Sequence, residues 1–325
     1  MEQGKTVVGR FAPSPSGRMH LGNVFCALIA WLSARSCGGR VVLRQEDLDP
    51  ERCPRRYADL LEDDLRWLGL DWDEGGSAGG PHGPYFQSER TAIYLQYYEC
   101  LKARGLVYPC FCSRAELHAA QAPHLADGTV LYSGRCRSLS PAERQALAQK
   151  RKPAGRLIVP DEEIAFDDQV YGRYRENLAA ACGDFLVRRS DGVFAYQLAV
   201  VVDDALMGVN QVVRGRDLLS STPRQIYLYR LLGFPEPSFG HIPLLLAPDG
   251  TRLSKRDRAL DLGALRARFS PRELLGLLAW SGGLLPQPRL VSAQELIPLF
   301  SWSRLPREDI RLPRSLWEED GAKTG

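Results

Sequence analysis

The sequence predicts an α/β chain built on a parallel sheet that helices cover on both faces. Three adjacent stretches carry that prediction. Residues 5–11 (KTVVGRF) read as a short strand, and residues 21–36 (LGNVFCALIAWLSARS) place apolar side chains at helical spacing. Residues 39–44 (GRVVLR) have the continuous apolar centre of a strand buried on both sides. Strand, helix and strand in that order form the repeating unit of parallel sheets.

The remaining elements follow in chain order. The first helix stops at Cys37-Gly38-Gly39, where glycine ends the helical pattern. Residues 58–68 form an amphipathic helix, and residues 75–83 (GGSAGGPHG) are glycine-rich enough to predict a mobile loop. Residues 88–104 are helical again. From residue 106 to about 189 the texture changes to short strands, cysteines, a charged helix over 141–152 and the string VYGRYREN, which predicts an inserted module. Residues 194–202 (FAYQLAVVV) resume the texture of a buried strand, and 211–214 (QVVR) continue it. Residues 222–232 are helical, 250–258 form a basic loop, 271–280 and 293–299 are helical, and the stretch from Pro306 is polar. The expected organisation is a core domain in two halves, 1–105 and 191–260, around an insertion at 106–190, followed by a helical segment at 261–325.

Composition narrows the classes. The 325 residues are 44% hydrophobic and 25% charged, which is ordinary for globular chains. No apolar run approaches the roughly 18 residues of a membrane span, and MEQGKTVVGRF lacks the apolar centre of a secretion signal. Both point to a cytoplasmic protein without membrane contact. A formal charge of +3 neither demands nor excludes nucleic acid. In that setting the eight cysteines are expected as thiols or metal ligands. Cys26, Cys37, Cys53, Cys100 and Cys182 are scattered and read as small hydrophobes, whereas Cys110, Cys112 and Cys136 are clustered.

The stretch GRFAPSPSGRMHLGN (residues 9–23) poses the functional question. A loop of glycine, serine and proline that enters a helix leaves backbone N–H groups unpaired, and the helix dipole adds positive potential there, a combination that favours phosphate. His20 can donate a hydrogen bond to a phosphate oxygen, and Gly22 lets the backbone come close. Neither GxGxxG nor GxxxxGK[ST] is present, so the usual dinucleotide and Walker readings fail.

HLGN at residues 20–23 resembles the HIGH signature of class I aminoacyl-tRNA synthetases, and RLSKR at residues 252–256 resembles their KMSKS signature, in the family's order. RFAPSPSGRMHLGN, LRQEDLDPER, YFQSER, YPCFCSRAEL and VVRGRDLLSSTPRQ resemble the glutamyl branch of that class. The resemblance runs from about residue 8 to about residue 260. Glutamyl-tRNA synthetases continue into an anticodon-reading helical domain, whereas this sequence ends some 70 residues after RLSKR. In that respect it is similar to the truncated branch that attaches glutamate to queuosine in the anticodon loop of tRNA(Asp).

The resemblance implies a Rossmann-like catalytic domain interrupted by a zinc-bearing α+β insertion, and a short helical C-terminal segment without an anticodon-binding domain. It implies tRNA-independent activation of L-glutamate with ATP to glutamyl-adenylate, then transfer to the queuosine base at the wobble position of tRNA(Asp), by a monomer. Arg10 and Arg214 are expected to grip the substrate carboxylates, because a guanidinium fork matches a carboxylate bidentately. Tyr196 would add a hydroxyl and Glu46 would pair with the ammonium, with Phe11, Ala12, Pro13 and Ser14 lining the pocket. His20, Gly22 and Asn23 would face the ATP phosphates, and Arg252, Ser254 and Lys255 would approach from the basic loop, with Mg2+ on the phosphates. His20 and Lys255 are the expected catalytic groups, acting by charge stabilisation without a covalent nucleophile. Asn23 stands where the signature has its second histidine, and Arg252 where it has a lysine.

Cys110-Phe111-Cys112 and Cys136 fall one short of a four-ligand zinc site. Spacing favours His118 or His124 as the fourth ligand, while the resemblance implies Tyr132; any zinc here is expected to be structural. Arg114, Arg135, Arg137, Arg151, Lys152, Arg173 and Arg175 form a candidate tRNA-facing patch. The rivals are a minimal glutamyl-tRNA synthetase charging a 3′ end, a non-catalytic tRNA-binding paralogue, and a nucleotidyltransferase of the HxGH type.

Overall fold

The computed structural model describes residues 6–113, 116, 131–251, 253, 260–313 and 316. Arg252, Ser254, Lys255, His118, His124 and Arg114 lie outside the described residues.

Strand β1 (Val8–Phe11) feeds helix α1 (Leu21–Arg35), and β2 (Arg40–Leu43) returns parallel to β1 with Val8 opposite Arg40. Helix α2 (Arg55–Leu68) follows, ending on Gly69, whose φ of 74° is the left-handed cap conformation that glycine tolerates. Then come β3 (Glu74–Gly75) and α3 (Thr91–Ala103). The next segment holds β4 (Val107–Cys110), α4 (Pro141–Lys150), β5 (Ala154–Leu157), β6 (Glu163–Asp168), β7 (Gly172–Asn177), the single turn α5 (Leu178–Ala181) and β8 (Phe185–Arg188). Helix α6 (Tyr196–Leu206), β9 (Gln211–Gly215), α7 (Thr222–Leu232), β10 (Ser238–Ile242) and β11 (Leu245–Leu246) lead to α8 (Leu262–Arg268), α9 (Pro271–Ser281), α10 (Ala293–Leu296) and β12 (Ile310–Arg311).

The main sheet has seven strands in the order β3-β2-β1-β9-β10-β6-β7, all parallel except the β6–β7 hairpin. The segment 106–190 contributes to two sheets: β4, β5 and β8 make a separate antiparallel one, whereas β6 joins the main sheet beside β10. Side-chain alternation along the strands divides the core. Val41, Leu43 and Val213 pack with α1 and with Leu274, Leu278 and Leu296 of the C-terminal helices, while Val42 and Val212 pack with α3, α6 and α7. The C-terminal segment thus buries its apolar face against α1, and β12 pairs with β11.

Two elements differ from the sequence expectation. The FAYQLAVVV stretch is helix, not strand, from Tyr196 on. Every residue from Leu198 to Asp204 is buried, so this helix lacks the polar face that reveals helical period, and a short apolar run cannot distinguish the two states. The glycine-rich loop is pinned. Glu74, just before it in β3, is buried and binds Arg40, Tyr85 and the loop's His82, and Ser77 donates its backbone N–H to Glu62 at 2.8 Å.

Candidate functional site

At the sheet's centre the connections diverge: from β1 the chain winds outward through β2 and β3, and from β9 it winds the other way through β10. The carboxyl ends of β1 and β9 therefore open a crevice, the usual ligand position in parallel α/β sheets. A cavity of about 590 Å³ lies there, and its walls include Arg10, Phe11, Ala12, Pro13, Ser14, His20, Gly22, Asn23, Glu46, Tyr196 and Arg214. Residues far apart in sequence thus meet in one place. Leu253, within the basic loop, also lines it.

Two buried guanidinium groups dominate the chemistry. Arg10, third residue of β1, donates to the Val213 carbonyl at 2.8 Å, and its Nε lies 3.5 Å from Asp204. Arg214 is 4% exposed and donates to His241 Nε2 at 3.1 Å, Gln225 Oε1 at 2.8 Å, Thr222 Oγ1 at 2.7 Å and the Tyr196 hydroxyl at 3.4 Å. All four partners are neutral acceptors: among the described residues, no carboxylate forms an ion pair with Arg214. A desolvated cation without a counter-ion is costly, and the open side of this one faces the cavity.

Carboxylates are plentiful one layer below. Arg44 binds Asp204 at 2.6 Å and Glu46 at 3.0 Å, and Arg90 binds Asp203 at 2.6 Å; all are buried except Glu46, which is partly buried at the cavity wall. Asp203 and Asp204 lie on α6, the misread helix, so the sequence reading missed this network; the acid pair closing an apolar run (VVVDDA) was its one visible signal. The network holds Glu46 at the cavity wall. Burial pushes the Glu46 carboxyl above its ordinary range, with Arg44 and Arg10 acting against that rise. Burial likewise keeps the Tyr196 phenol protonated, a neutral donor.

The helix entrance carries the second half of the site. His20 is the N-cap of α1: its Nδ1 accepts from the Gly22 N–H at 3.1 Å, and its own N–H donates to Asn23 Oδ1 at 3.3 Å. An accepting Nδ1 leaves the ring proton of neutral His20 on Nε2, and Asn23, with its oxygen engaged, keeps its amide N–H groups as donors. A Cβ at Gly22 would stand 2.9 Å from the His20 ring, so glycine here makes room for the cap. Asp261 pairs with His20 as an isolated bridge, and the Leu262 N–H donates to the Met19 carbonyl at 2.9 Å. Leu253, within the basic loop, lines the cavity, and Asp261, just after the loop, meets His20 at this entrance.

Cys110, Cys136 and Tyr132, all buried, and the partly buried Cys112 form their own cluster at the end of β4. The three sulfurs lie within 4.8 Å of one another, Cys112 and Cys136 at 3.5 Å, and the Tyr132 hydroxyl is 3.6 Å from the Cys110 sulfur. Tetrahedral zinc with thiolate bonds of about 2.3 Å separates its sulfurs by about 3.8 Å, so the donor set fits zinc in both chemistry and spacing. Burial pushes the Cys112 thiol up to about 12; burial also disfavours the Cys136 thiolate, but hydrogen bonds from Tyr132, the Phe111 amide and the other thiols hold it below the usual range.

The basic patch is partly neutralised: Arg137, Arg151, Arg173 and Arg175 each contact a carboxylate, while Lys152 is exposed. Among the described residues, no helix is long and apolar enough to cross a membrane.

Comparison with known proteins agrees with this architecture. Residues 6–303 match the family described as tRNA synthetases class I (E and Q), catalytic domain. The chain is 56% identical to a glutamyl-Q tRNA(Asp) synthetase of Symbiobacterium thermophilum, over 94% of this chain and 95% of that protein. It is 43% identical to a glutamate–tRNA ligase of a Sulfurihydrogenibium species, over 90% of this chain but 62% of that protein. The crystal structure of a glutamate tRNA ligase from Elizabethkingia meningosepticum, in complex with its amino acid, superimposes with a TM-score of 0.83 at 30% identity, covering 96% of this chain and 68% of that one. This chain therefore belongs to the class I tRNA synthetases of the glutamyl and glutaminyl type, a family of ATP-dependent ligases.

Proposed function

We propose that the chain activates L-glutamate with ATP, without tRNA, and transfers it to the queuosine base at the wobble position of tRNA(Asp). One observation carries the first half: among the described residues the buried Arg214 cation meets only neutral partners, and it opens on a cavity shared with Arg10, Tyr196 and Glu46. A dicarboxylic amino acid supplies what that pocket lacks. Arg10 and Arg214 take its carboxylates, Glu46 takes its ammonium, and Ser14 and Tyr196 offer hydroxyls, with Phe11, Ala12 and Pro13 as walls.

ATP occupies the His20 end, its phosphates against the helix start, with Gly22 and Asn23 beside them and Mg2+ carried in on the phosphates. A glutamate carboxylate oxygen attacks the α-phosphorus; that P–O bond forms as the bond to the β-phosphate oxygen breaks, giving glutamyl-adenylate and pyrophosphate. His20 Nε2–H donates to the phosphate oxygens. Lys255, two residues beyond Leu253, neutralises charge on the departing pyrophosphate, with Arg252 and Ser254 beside it. Transfer to the base then releases AMP. Cys110, Cys112, Tyr132 and Cys136 would hold one Zn2+ that cross-links the segment 106–190 away from this chemistry. We further propose that the chain works as a monomer, with 1–105 and 191–260 as the two halves of the catalytic domain, 106–190 facing tRNA and 261–325 bracing α1.

Full-length similarity to a protein named glutamyl-Q tRNA(Asp) synthetase supports the choice of acceptor. The test is to incubate the protein with ATP, labelled glutamate and tRNA(Asp) with or without queuosine. Label should appear only on queuosine-containing tRNA and survive removal of the 3′ end. Label lost with the 3′ end would identify a tRNA-charging ligase instead, and absence of glutamate-dependent pyrophosphate exchange would identify a binding protein.

A further inference from the structure

Arg214 raises a mechanical question, because an arginine side chain has many rotamers and this one must present a single face to the cavity. Its Nε–H is committed to His241 Nε2 at 3.1 Å. His241 is fully buried, lies nearly parallel to the Phe239 ring at 13°, and has its Nδ1 2.6 Å from Asp168 Oδ2. The Asp168 carboxylate is itself held from several sides: Oδ2 also accepts the His241 N–H at 3.1 Å, and Oδ1 accepts the N–H groups of Val170 and Tyr171 at 3.0 Å each. Neither Asp168 nor His241 lines the cavity.

We propose that Asp168 and His241 are positioning residues that lock the Arg214 guanidinium in the orientation that grips the amino acid, so that the segment carrying Asp168 sets the affinity for glutamate. This rests on the reading of Arg214 as a carboxylate ligand. The tautomer follows from the acceptors. Asp168 can only accept, so Nδ1 carries the proton and Nε2 offers its lone pair to the guanidinium. An imidazolium could not accept that bond; burial and the neighbouring Arg214 and Arg10 cations push His241 down to about 4, against the pull of Asp168, which keeps the ring neutral. Asp168 closes β6, whose hairpin with β7 lies within the segment 106–190, and it is the residue at which β6 pairs in register with Phe239 of β10. The relay therefore ties that hairpin to the amino-acid pocket.

The experiment measures glutamate-dependent pyrophosphate exchange in Arg214→Met, His241→Phe, His241→Gln and Asp168→Asn, each checked by thermal melting. His241→Phe keeps the stacking but removes the acceptor, and should raise the KM for glutamate about ten- to a hundredfold, the range for losing one hydrogen bond to a charged group. The KM for ATP should stay within about twofold of the wild type. His241→Gln, whose carbonyl can still accept from Arg214, should recover most of that loss. In Asp168→Asn one oxygen becomes an NH2, which cannot serve the acceptor roles of both carboxylate atoms; it presents a donor to a donor or forces the ring into the other tautomer, so glutamate KM should again rise about tenfold. If glutamate KM changes less than about twofold in both His241→Phe and Asp168→Asn while Arg214→Met raises it, the relay is refuted and the pocket reading stands. If Arg214→Met leaves it unchanged, the pocket reading fails first. Equal losses in His241→Gln and His241→Phe, with ATP KM moving too, would reduce the relay to a structural role and overturn the proposal.

Discussion

Replacing Arg214 by methionine should damage binding far more than folding. Among the described residues the guanidinium makes four hydrogen bonds, all to neutral partners, and has no ion pair, while being desolvated. Loss of a buried, bidentate contact to a substrate carboxylate costs about 2–5 kcal/mol, which at about 1.4 kcal/mol per tenfold raises glutamate KM by roughly thirty- to several-thousandfold. The effect on stability is small because the terms oppose. Removing the cation relieves its desolvation, while the stranded acceptors cost about 1 kcal/mol each where water cannot reach them; the net should stay under about 2 kcal/mol. Arg90 is the control: its removal takes the 2.6 Å cation from the buried Asp203, leaving Arg44 at 3.8 Å and the neutral donors Gln87 and Tyr94, and should cost about 3–5 kcal/mol. With about 2–4 °C of Tm per kcal/mol, Arg214→Met should melt within several degrees of the wild type, and Arg90→Met some ten degrees below it. Pyrophosphate exchange and calorimetry provide both readouts. A glutamate KM within threefold of wild type in Arg214→Met, or a melting loss as large as that of Arg90→Met, would refute the reasoning.

Other expectations follow from the same geometry. Glu46 must be ionised to hold an ammonium, and burial raises its pKa; kcat/KM for glutamate should therefore rise with pH through a point above the ordinary carboxylate value, a limb that Glu46→Gln abolishes while lowering affinity about a hundredfold. His241 titrates near 4 when folded against about 6.5 unfolded, so between these values the unfolded chain binds the extra proton. Stability should fall by about 3 kcal/mol as pH drops from 6.5 to 4, a slope that acid titration of the Tm should find reduced in His241→Gln. Lys255→Ala should lower turnover at least tenfold with a smaller change in ATP KM; an unchanged turnover number would remove Lys255 from the chemistry. Protein purified without chelator should carry one zinc by elemental analysis, and Cys136→Ser or a strong chelator should lower both metal content and Tm.

How much of this was legible in the sequence depended on the physics that each residue obeys. The loop at residues 9–23 stands out because turn residues, a helix start and a histidine coincide there. Taken alone it reads as well as a structural turn, and only the family strings elsewhere in the chain tip the reading toward an anion site; β1, α1 and β2 follow from short-range pattern alone. Arg10 and Arg214, some two hundred residues apart, could be placed in one pocket only by family resemblance; no periodicity relates them. Helix α6 misled because burial on every side erases the helical period. Its Asp203 and Asp204, together with Arg44 and Arg90, then went unnoticed, since ion pairs across a fold leave no local signature. Asp168 and His241 were invisible for the same reason: Asp168 is one of three acidic residues in β6 and His241 sits in the short strand SFGHI, and only the sheet order brings β6 beside β10. Zinc-ligand spacing, by contrast, is local, and the three cysteines singled out in sequence do meet in the fold.

The most direct measurement is a crystal structure of the protein with glutamate and a non-hydrolysable ATP analogue. Carboxylate oxygens of the amino acid should lie about 3 Å from the guanidinium nitrogens of Arg10 and Arg214, with the ammonium on Glu46 and the phosphates against His20. A glutamate bound elsewhere, or an Arg214 guanidinium turned away from the ligand, would contradict the pocket on which the proposed chemistry depends.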